Sequence, residues 1–259
     1  MATKTEDSVP AASVADQKSP EISIVIPCLN EAETLGSVLD EVQSAIRKNS
    51  LSAEIIVADN GSTDGSKEIA AQHGARIIAV VERGYGSALR GGIRAARGTY
   101  VVMGDADGSY DFSAIPLFLA KLREGNELVM GNRFRGGVQP GAMPWVNEHF
   151  GNPFLSWLVR LFFRGGFGDV QCGLRAFSKT AFAKLNLQTT GMEFSSEMPS
   201  HAVLLRLGVA EVHKALRRAG RSRVPVMSPS REACCRLAHV LGYQPAQVFR
   251  VTGSAVIGA

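Results

Sequence analysis

The 259-residue chain is short of long apolar runs, of paired cysteines and of charge of one sign, and each shortage closes off a class of protein. No stretch approaches the roughly 20 apolar residues a spanning helix needs. The longest apolar clusters, Phe154 to Phe163 and Ala202 to Leu207, are broken by Arg160 and Arg206, so the chain as given is not expected to cross a bilayer. Residues 1–20 are dominated by Thr, Ser, Ala, Asp, Lys and Pro, with no apolar segment behind basic residues. They read as a disordered tail and not as a signal peptide. The cysteines Cys28, Cys172, Cys234 and Cys235 lack metal-type spacing, and the vicinal pair cannot easily bridge to itself, which suits a reduced, cytosolic setting. Net charge is only +4, and the excess gathers late, at Arg217, Arg218, Arg221, Arg223, Arg231 and Arg236. That suits phosphate or an anionic membrane face. Without a recognition-helix, zinc-finger or RNA-binding signature, no nucleic-acid partner is expected.

A dinucleotide-binding fingerprint is missing as well. The position after the first strand, where Gly-x-Gly-x-x-Gly belongs, holds Pro27-Cys-Leu-Asn-Glu31, and the lone Gly84-Tyr-Gly86 continues without its third glycine. A nicotinamide-linked oxidoreductase is disfavoured.

What the chain has is alternation. Strands are expected at Glu21 to Ile26, Glu54 to Ala58, Arg76 to Val81, Tyr100 to Met103 and Glu127 to Met130; helices at Glu31 to Lys48, up to His73, Ser87 to Arg97, Phe112 to Arg123 and Asn152 to Phe163. Near-continuous apolar strands between helices imply an α/β fold, a mostly parallel sheet covered on both faces. One body at residues 21–212 is expected, with a basic C-terminal extension at 213–259.

The fourth strand delivers Asp105-Ala-Asp107 to its C-terminal end, followed by the loop Gly108-Ser-Tyr-Asp111. Two carboxylates at a strand end offer hard oxygen ligands where a divalent cation and a diphosphate can both be met. A turn is the competing reading. Arg83 to Ser87 precedes a helix, so Gly84 and Gly86 either admit phosphate to backbone N–H groups or only make a tight turn. Asn60-Gly-Ser62 matches a glycosylation acceptor by chance.

Five blocks in order, Ile24-Val-Ile-Pro-Cys-Leu-Asn-Glu31, Ile56-Val-Ala-Asp-Asn-Gly-Ser-Thr-Asp-Gly65, Asp105-Ala-Asp107, Gly131-Asn-Arg133 and Asp169-Val-Gln-Cys-Gly-Leu-Arg175, resemble the family 2 glycosyltransferases with the GT-A (Rossmann-like) fold. Within them the resemblance is to polyprenyl-phosphate (dolichyl-phosphate type) mannosyl- and glucosyltransferases. It implies inverting transfer of glucose or mannose from UDP-glucose or GDP-mannose to a polyprenyl phosphate, with Mg²⁺ or Mn²⁺. It puts nucleotide contacts at Pro27, Asn30, Glu31 and Asp59, with capping the alternative for Asn30 and a turn role for Asp64. It places Asp107 on the metal, Asp105 near ribose or metal, and Ser109 where some relatives carry a second metal ligand. Arg133 and Arg175 would fix donor diphosphate or lipid phosphate through their bidentate forks. Arg217-Arg-Ala-Gly-Arg-Ser-Arg223 resembles a basic element whose last residue is usually lysine, and a solvated charge run is the alternative. Glu193 and Glu197, four apart, share one face if helical. Either could serve as a base toward a hydroxyl acceptor, whereas a phosphate acceptor needs none.

The rival readings are a family 2 enzyme acting on a sugar or polysaccharide hydroxyl and an inactive nucleotide-sugar-binding scaffold. Close relatives of the polyprenyl-phosphate type often continue into one or two spanning helices after the basic element. Val224 to Ala259 shows none, which implies a form peripheral at the cytoplasmic face, with a membrane partner subunit as a candidate, or a divergent last part.

Overall fold

The computed structural model describes residues 19–142 and 168–220, together with residues 149, 153, 154, 156 and 157. The helix expected over Asn152 to Phe163 and everything from Arg221 onward fall wholly or mostly outside them.

β1 (Ile22–Cys28) is buried along its whole length, as its apolar run requires of a strand covered on both faces. It pairs in parallel with β2 (Ala53–Asp59) on one side and β4 (Tyr100–Met103) on the other, and β3 (Arg76–Ala79) extends the sheet beyond β2. Pro27 lies inside β1, which ends two residues further than the sequence suggested. Pairing with β4 ends at Val25–Met103, so on that side no ladder bond is lost to the missing N–H. α1 (Ala32–Lys48) buries Leu35, Val38, Leu39 and Val42, its i, i+3, i+4, i+7 stripe. α2 (Ser66–Gln72) and α3 (Tyr85–Ala95) complete the β/α repeats. After β4, a 3₁₀ turn (Phe112–Ala114) leads into α4 (Ile115–Arg123) and β5 (Leu128–Asn132), followed by the short α5 (Arg133–Gly136).

The sheet has seven strands in the order β3-β2-β1-β4-β6-β5-β7. β6 (Arg175–Ser178) runs antiparallel between β4 and β5, with Arg175 opposite both Met103 and Met130. β7 (Val209–His213) pairs in parallel with β5. Between them lie α6 (Lys179–Leu185) and α7 (Phe194–Leu204). One core layer packs α1 and α4 on one face of the sheet, and a second packs α3 and α7 on the other. β7 crosses the boundary expected after residue 212. Lys214 to Gly220 stay fastened to the body through Leu216 N–H to Gly137 O and Gln139 N–H to Leu216 O. Among the described residues no helix is long and apolar enough to cross a membrane.

Candidate active site

The C-terminal ends of β1, β2 and β4 open at one edge, beside the switch in strand order where α/β sheets bind ligands. The antiparallel insertion brings the start of β6 to that same edge, so Asp169 to Arg175 meets Asp105 there.

The wall at β1 and β2 is laced by side chains. Asn30, at φ 58°, accepts from Thr63 N–H at 2.8 Å and donates its own N–H to Ser62 Oγ. Glu31 is the N-cap of α1 without a side-chain capping bond. The cap comes from a distance, with Asp64 accepting from Ala32 N–H at 3.0 Å. The Asp59 carboxylate is buried and accepts from the N–H groups of Gly61 and Ser62. Asn60 spans the gap to the next loop, accepting from Gly84 N–H and donating to Val80 O and Glu82 O. Its amide is buried and fully engaged, so the Asn60-Gly-Ser62 acceptor match has no accessible nitrogen.

At the end of β4, Asp105 Oδ1 accepts from the Tyr85 hydroxyl at 2.8 Å, and Asp107 Oδ1 accepts from Ser109 N–H at 3.0 Å. Beneath Asp105 lies Gly173, where a Cβ would stand 2.8 Å from Oδ2 and 3.0 Å from the Tyr110 hydroxyl. Tyr110 in turn accepts from Gly173 N–H at 2.7 Å. Burial first, then the Asp105 charge, raises the Tyr85 pKa well above the ordinary phenol value, so this hydroxyl remains a donor at neutral pH. Sequence reasoning missed Tyr85; its place inside Gly84-Tyr-Gly86 drew attention to the glycines. No cluster of three or more His, Cys, Asp or Glu able to hold a metal exists among the described residues. Two carboxylates suit Mg²⁺ or Mn²⁺ bound the way nucleotide enzymes hold them, by one or two carboxylates plus substrate phosphates and water. Ser109 contributes backbone here, its carbonyl accepting from Arg217 N–H at 2.9 Å.

The arginines are committed to protein partners. Arg133 makes a bidentate pair with the fully buried Asp169, Nε–Oδ2 2.6 Å and Nη2–Oδ1 2.8 Å. Arg175 is wholly buried, donating to the carbonyls of Cys172, Val170 and Ser195, while its Nη1 has no hydrogen-bond partner. Arg217 lies between Glu41 and Asp111, 2.9 Å from each. Arg223 lies outside the described residues. Glu197 is 3% exposed; Oε1 accepts from Gln188 N–H, and Oε2 from the N–H and hydroxyl of Thr189. Glu193, the N-cap of α7, is 8% exposed and makes no side-chain capping bond. Gly84 and Gly86 face protein: a Cβ on Gly84 would stand 2.1 Å from Thr190 O, and one on Gly86 2.5 Å from Thr189 O. Their smallness admits that loop.

A strand-end carboxylate pair at the switch edge of a mostly parallel sheet defines the class: a GT-A glycosyltransferase. The match to known proteins makes it specific. Residues 23–185 match the pattern described as Glycosyl transferase family 2, and the chain belongs to that family. It is 39% identical over 194 residues to the low-salt glycan biosynthesis hexosyltransferase Agl6 of Haloferax volcanii, covering 74% of this chain and 47% of that protein. With the dolichyl-phosphate hexose transferase of the same organism it shares 29% identity over 206 residues, 79% of this chain and 86% of that one. Among solved structures, glucosyl-3-phosphoglycerate synthase from Mycobacterium tuberculosis in complex with Mn²⁺, UDP and glucosyl-3-phosphoglycerate superposes with a TM-score of 0.66 at 26% identity, over 86% of this chain and 79% of that one. The chain spans about half the length of several curated relatives it matches.

Proposed function

We propose that the chain transfers glucose or mannose, with inversion, from a UDP- or GDP-linked donor to a polyprenyl phosphate, working peripherally at the cytoplasmic membrane face. The observation that carries this reading is the path of the basic strap. Gly220 N–H donates to Asp107 O at 2.8 Å and Arg217 N–H to Ser109 O, so the arginine-rich element starts at the rim of the carboxylate pair. An acceptor phosphate drawn there is already anionic and needs no base. One of its oxygens forms a bond to the anomeric carbon from the face opposite the diphosphate. The carbon–oxygen bond to the donor phosphate breaks, and its electron pair leaves with the nucleoside diphosphate. Asp105 and Asp107 are the residues that would hold Mg²⁺ or Mn²⁺, which supplies Lewis-acid neutralisation of the leaving diphosphate when bound. Pro27, Asn30, Glu31 and Asp59 shape the donor wall, and Arg223 is assigned to the lipid phosphate. The named dolichyl-phosphate relative supports the acceptor class.

The test offers labelled UDP-glucose and GDP-mannose with Mn²⁺ and polyprenyl phosphate. Lipid-linked hexose is expected, with a loss of about 100-fold or more in Asp107→Ala, the scale for removing charge stabilisation of a leaving group. Full metal-dependent turnover by Asp107→Ala would sink the assignment.

A second reading, transfer to a sugar hydroxyl, draws on Glu193, an almost buried carboxylate without a capping bond. It predicts a pH profile set by Glu193 and collapse of rate in Glu193→Gln. Donor binding without transfer to either acceptor would leave a nucleotide-sugar-binding scaffold.

A further inference from the structure

Glu197 is one of the two carboxylates expected from sequence to serve as a base, but its hydrogen bonds lead elsewhere. Both oxygens are occupied by the loop Gln188 to Gly191: Gln188 N–H at 2.8 Å, Thr189 N–H at 3.0 Å and Thr189 Oγ1 at 2.5 Å. Arg90 of α3 fastens the same loop from the other side, donating to Gln188 O at 2.8 Å. The loop then presses on the first turn of α3. Thr190 O accepts from Ser87 N–H at 3.0 Å and occupies the space a side chain at Gly84 would need. That turn carries Tyr85, whose hydroxyl ends the series on Asp105 Oδ1 at 2.8 Å. Every link is short, and no other residue type fits at Gly84 or Gly86.

We propose that Glu197, Thr189 and Tyr85 form a positioning chain for Asp105, in which the α7 carboxylate seats the loop that seats the start of α3 and hence the hydroxyl orienting the Asp105 carboxylate. This rests on reading Asp105 as a ligand for the donor's divalent cation. Groups that orient a ligating carboxylate tune its metal affinity, and their loss typically costs 10- to 100-fold. Gly173 leaves the Asp105 carboxylate room to sit in this orientation, since any side chain there would meet Oδ2. The Tyr85 bond then holds Oδ1 of that carboxylate in place. Glu197 acts on the reaction through three intervening links and accepts no proton from the acceptor.

The experiment measures Mn²⁺ binding directly, following free Mn²⁺ by electron paramagnetic resonance with UDP and, separately, GDP present. Tyr85→Phe keeps the ring and removes the hydroxyl; Thr189→Val keeps the shape and removes one donor to Glu197. Tyr85→Phe is expected to weaken Mn²⁺ binding about 10-fold or more. Thr189→Val shifts it in the same direction, while its melting temperature drops only about 2 to 4 °C, the value of one hydrogen bond. The double variant binds no more weakly than Tyr85→Phe alone, because both act through one hydroxyl. In Glu197→Gln the Mn²⁺ requirement rises while the pH profile keeps its shape. Wild-type Mn²⁺ binding in Tyr85→Phe overturns the proposal, as does a double-variant loss equal to the product of the singles. Loss of the ascending pH limb in Glu197→Gln, or no Mn²⁺ uptake by the unmodified chain with either nucleotide, overturns it too. If the unmodified chain binds Mn²⁺ and Tyr85→Phe weakens it, but no hexose reaches polyprenyl phosphate, the positioning chain stands and the proposed function fails.

Discussion

Replacing Asp169 by Asn should unfold the site edge before it changes any chemistry. Asp169 is fully buried and accepts four hydrogen bonds: Arg133 Nε at 2.6 Å, Arg133 Nη2 at 2.8 Å, Arg133 N–H at 3.1 Å and Gln171 N–H at 3.2 Å. The amide keeps one accepting oxygen and leaves the guanidinium charge, 8% exposed, without a counter-ion. Breaking a buried pair on one side costs about 3–5 kcal/mol. For a domain of this size that corresponds to a fall in Tm of roughly 6 to 20 °C. Urea unfolding and thermal melts at neutral pH read it out, with the exposed Arg123–Glu21 pair as the internal comparison. Neutralising Glu21 should cost no more than about 1 kcal/mol. The double change Arg133→Met with Asp169→Asn should regain much of the loss, because the stranded charge is gone. If Asp169→Asn costs no more than the surface variant, the pair does not hold β5 to the Asp169–Arg175 segment and the reasoning is refuted.

Acid tolerance should depend on Asp111. Its burial raises the carboxyl pKa, but hydrogen bonds from Ser113 and Lys214 and the Arg217 charge outweigh that and hold it well below the usual range. A depressed carboxylate stabilises above its unfolded pKa of about 3.9 and loses that contribution as pH falls through the folded value. The stability gap between wild type and Asp111→Asn should therefore be full at pH 6 and shrink steadily below about pH 4; a gap independent of pH in urea titrations would contradict it. Burial pushes the Cys172 thiol up to about 12 and also raises Cys28. In peptide-resolved mass spectrometry at pH 8, iodoacetamide should leave both unlabelled until urea is added. Vesicle binding, if it is electrostatic, should be lost when salt rises well past the concentration giving a Debye length of about 8 Å; salt-resistant binding would argue for an apolar anchor.

The first four strands and their helices were legible because central parallel strands are buried on both faces and spell themselves as apolar runs. β6 was not, since its four residues begin with a buried arginine, Arg175, that reads as a surface or ligand residue. α7 hid for the opposite reason. It is buried nearly all round, from Phe194 to Ser200, and carries Pro199, so no amphipathic stripe marks it. At the site, the Asp105–Asp107 pair was visible as two carboxylates after an apolar strand. The partners of Asp59, Glu197 and Arg217 were not, because the N–H and hydroxyl donors to Glu197 and the carboxylates that accept from Arg217 come from other elements, and an Asx turn at Asp59 spells itself like a ligand site.

The reversed strand β6 has a consequence for how such a protein can change. The stretch from Phe134 to Leu174 leaves the sheet at the end of β5 and returns beside it at Arg175, opposite Met130. Both ends are thus fixed neighbours near the edge that carries Asp105. Doubling the length of a loop with fixed ends costs only about 0.6 kcal/mol. Added length between residues 142 and 168 would thus leave the strand order as it is, provided Asp169 keeps its pair with Arg133 and Gly173 its place against Asp105.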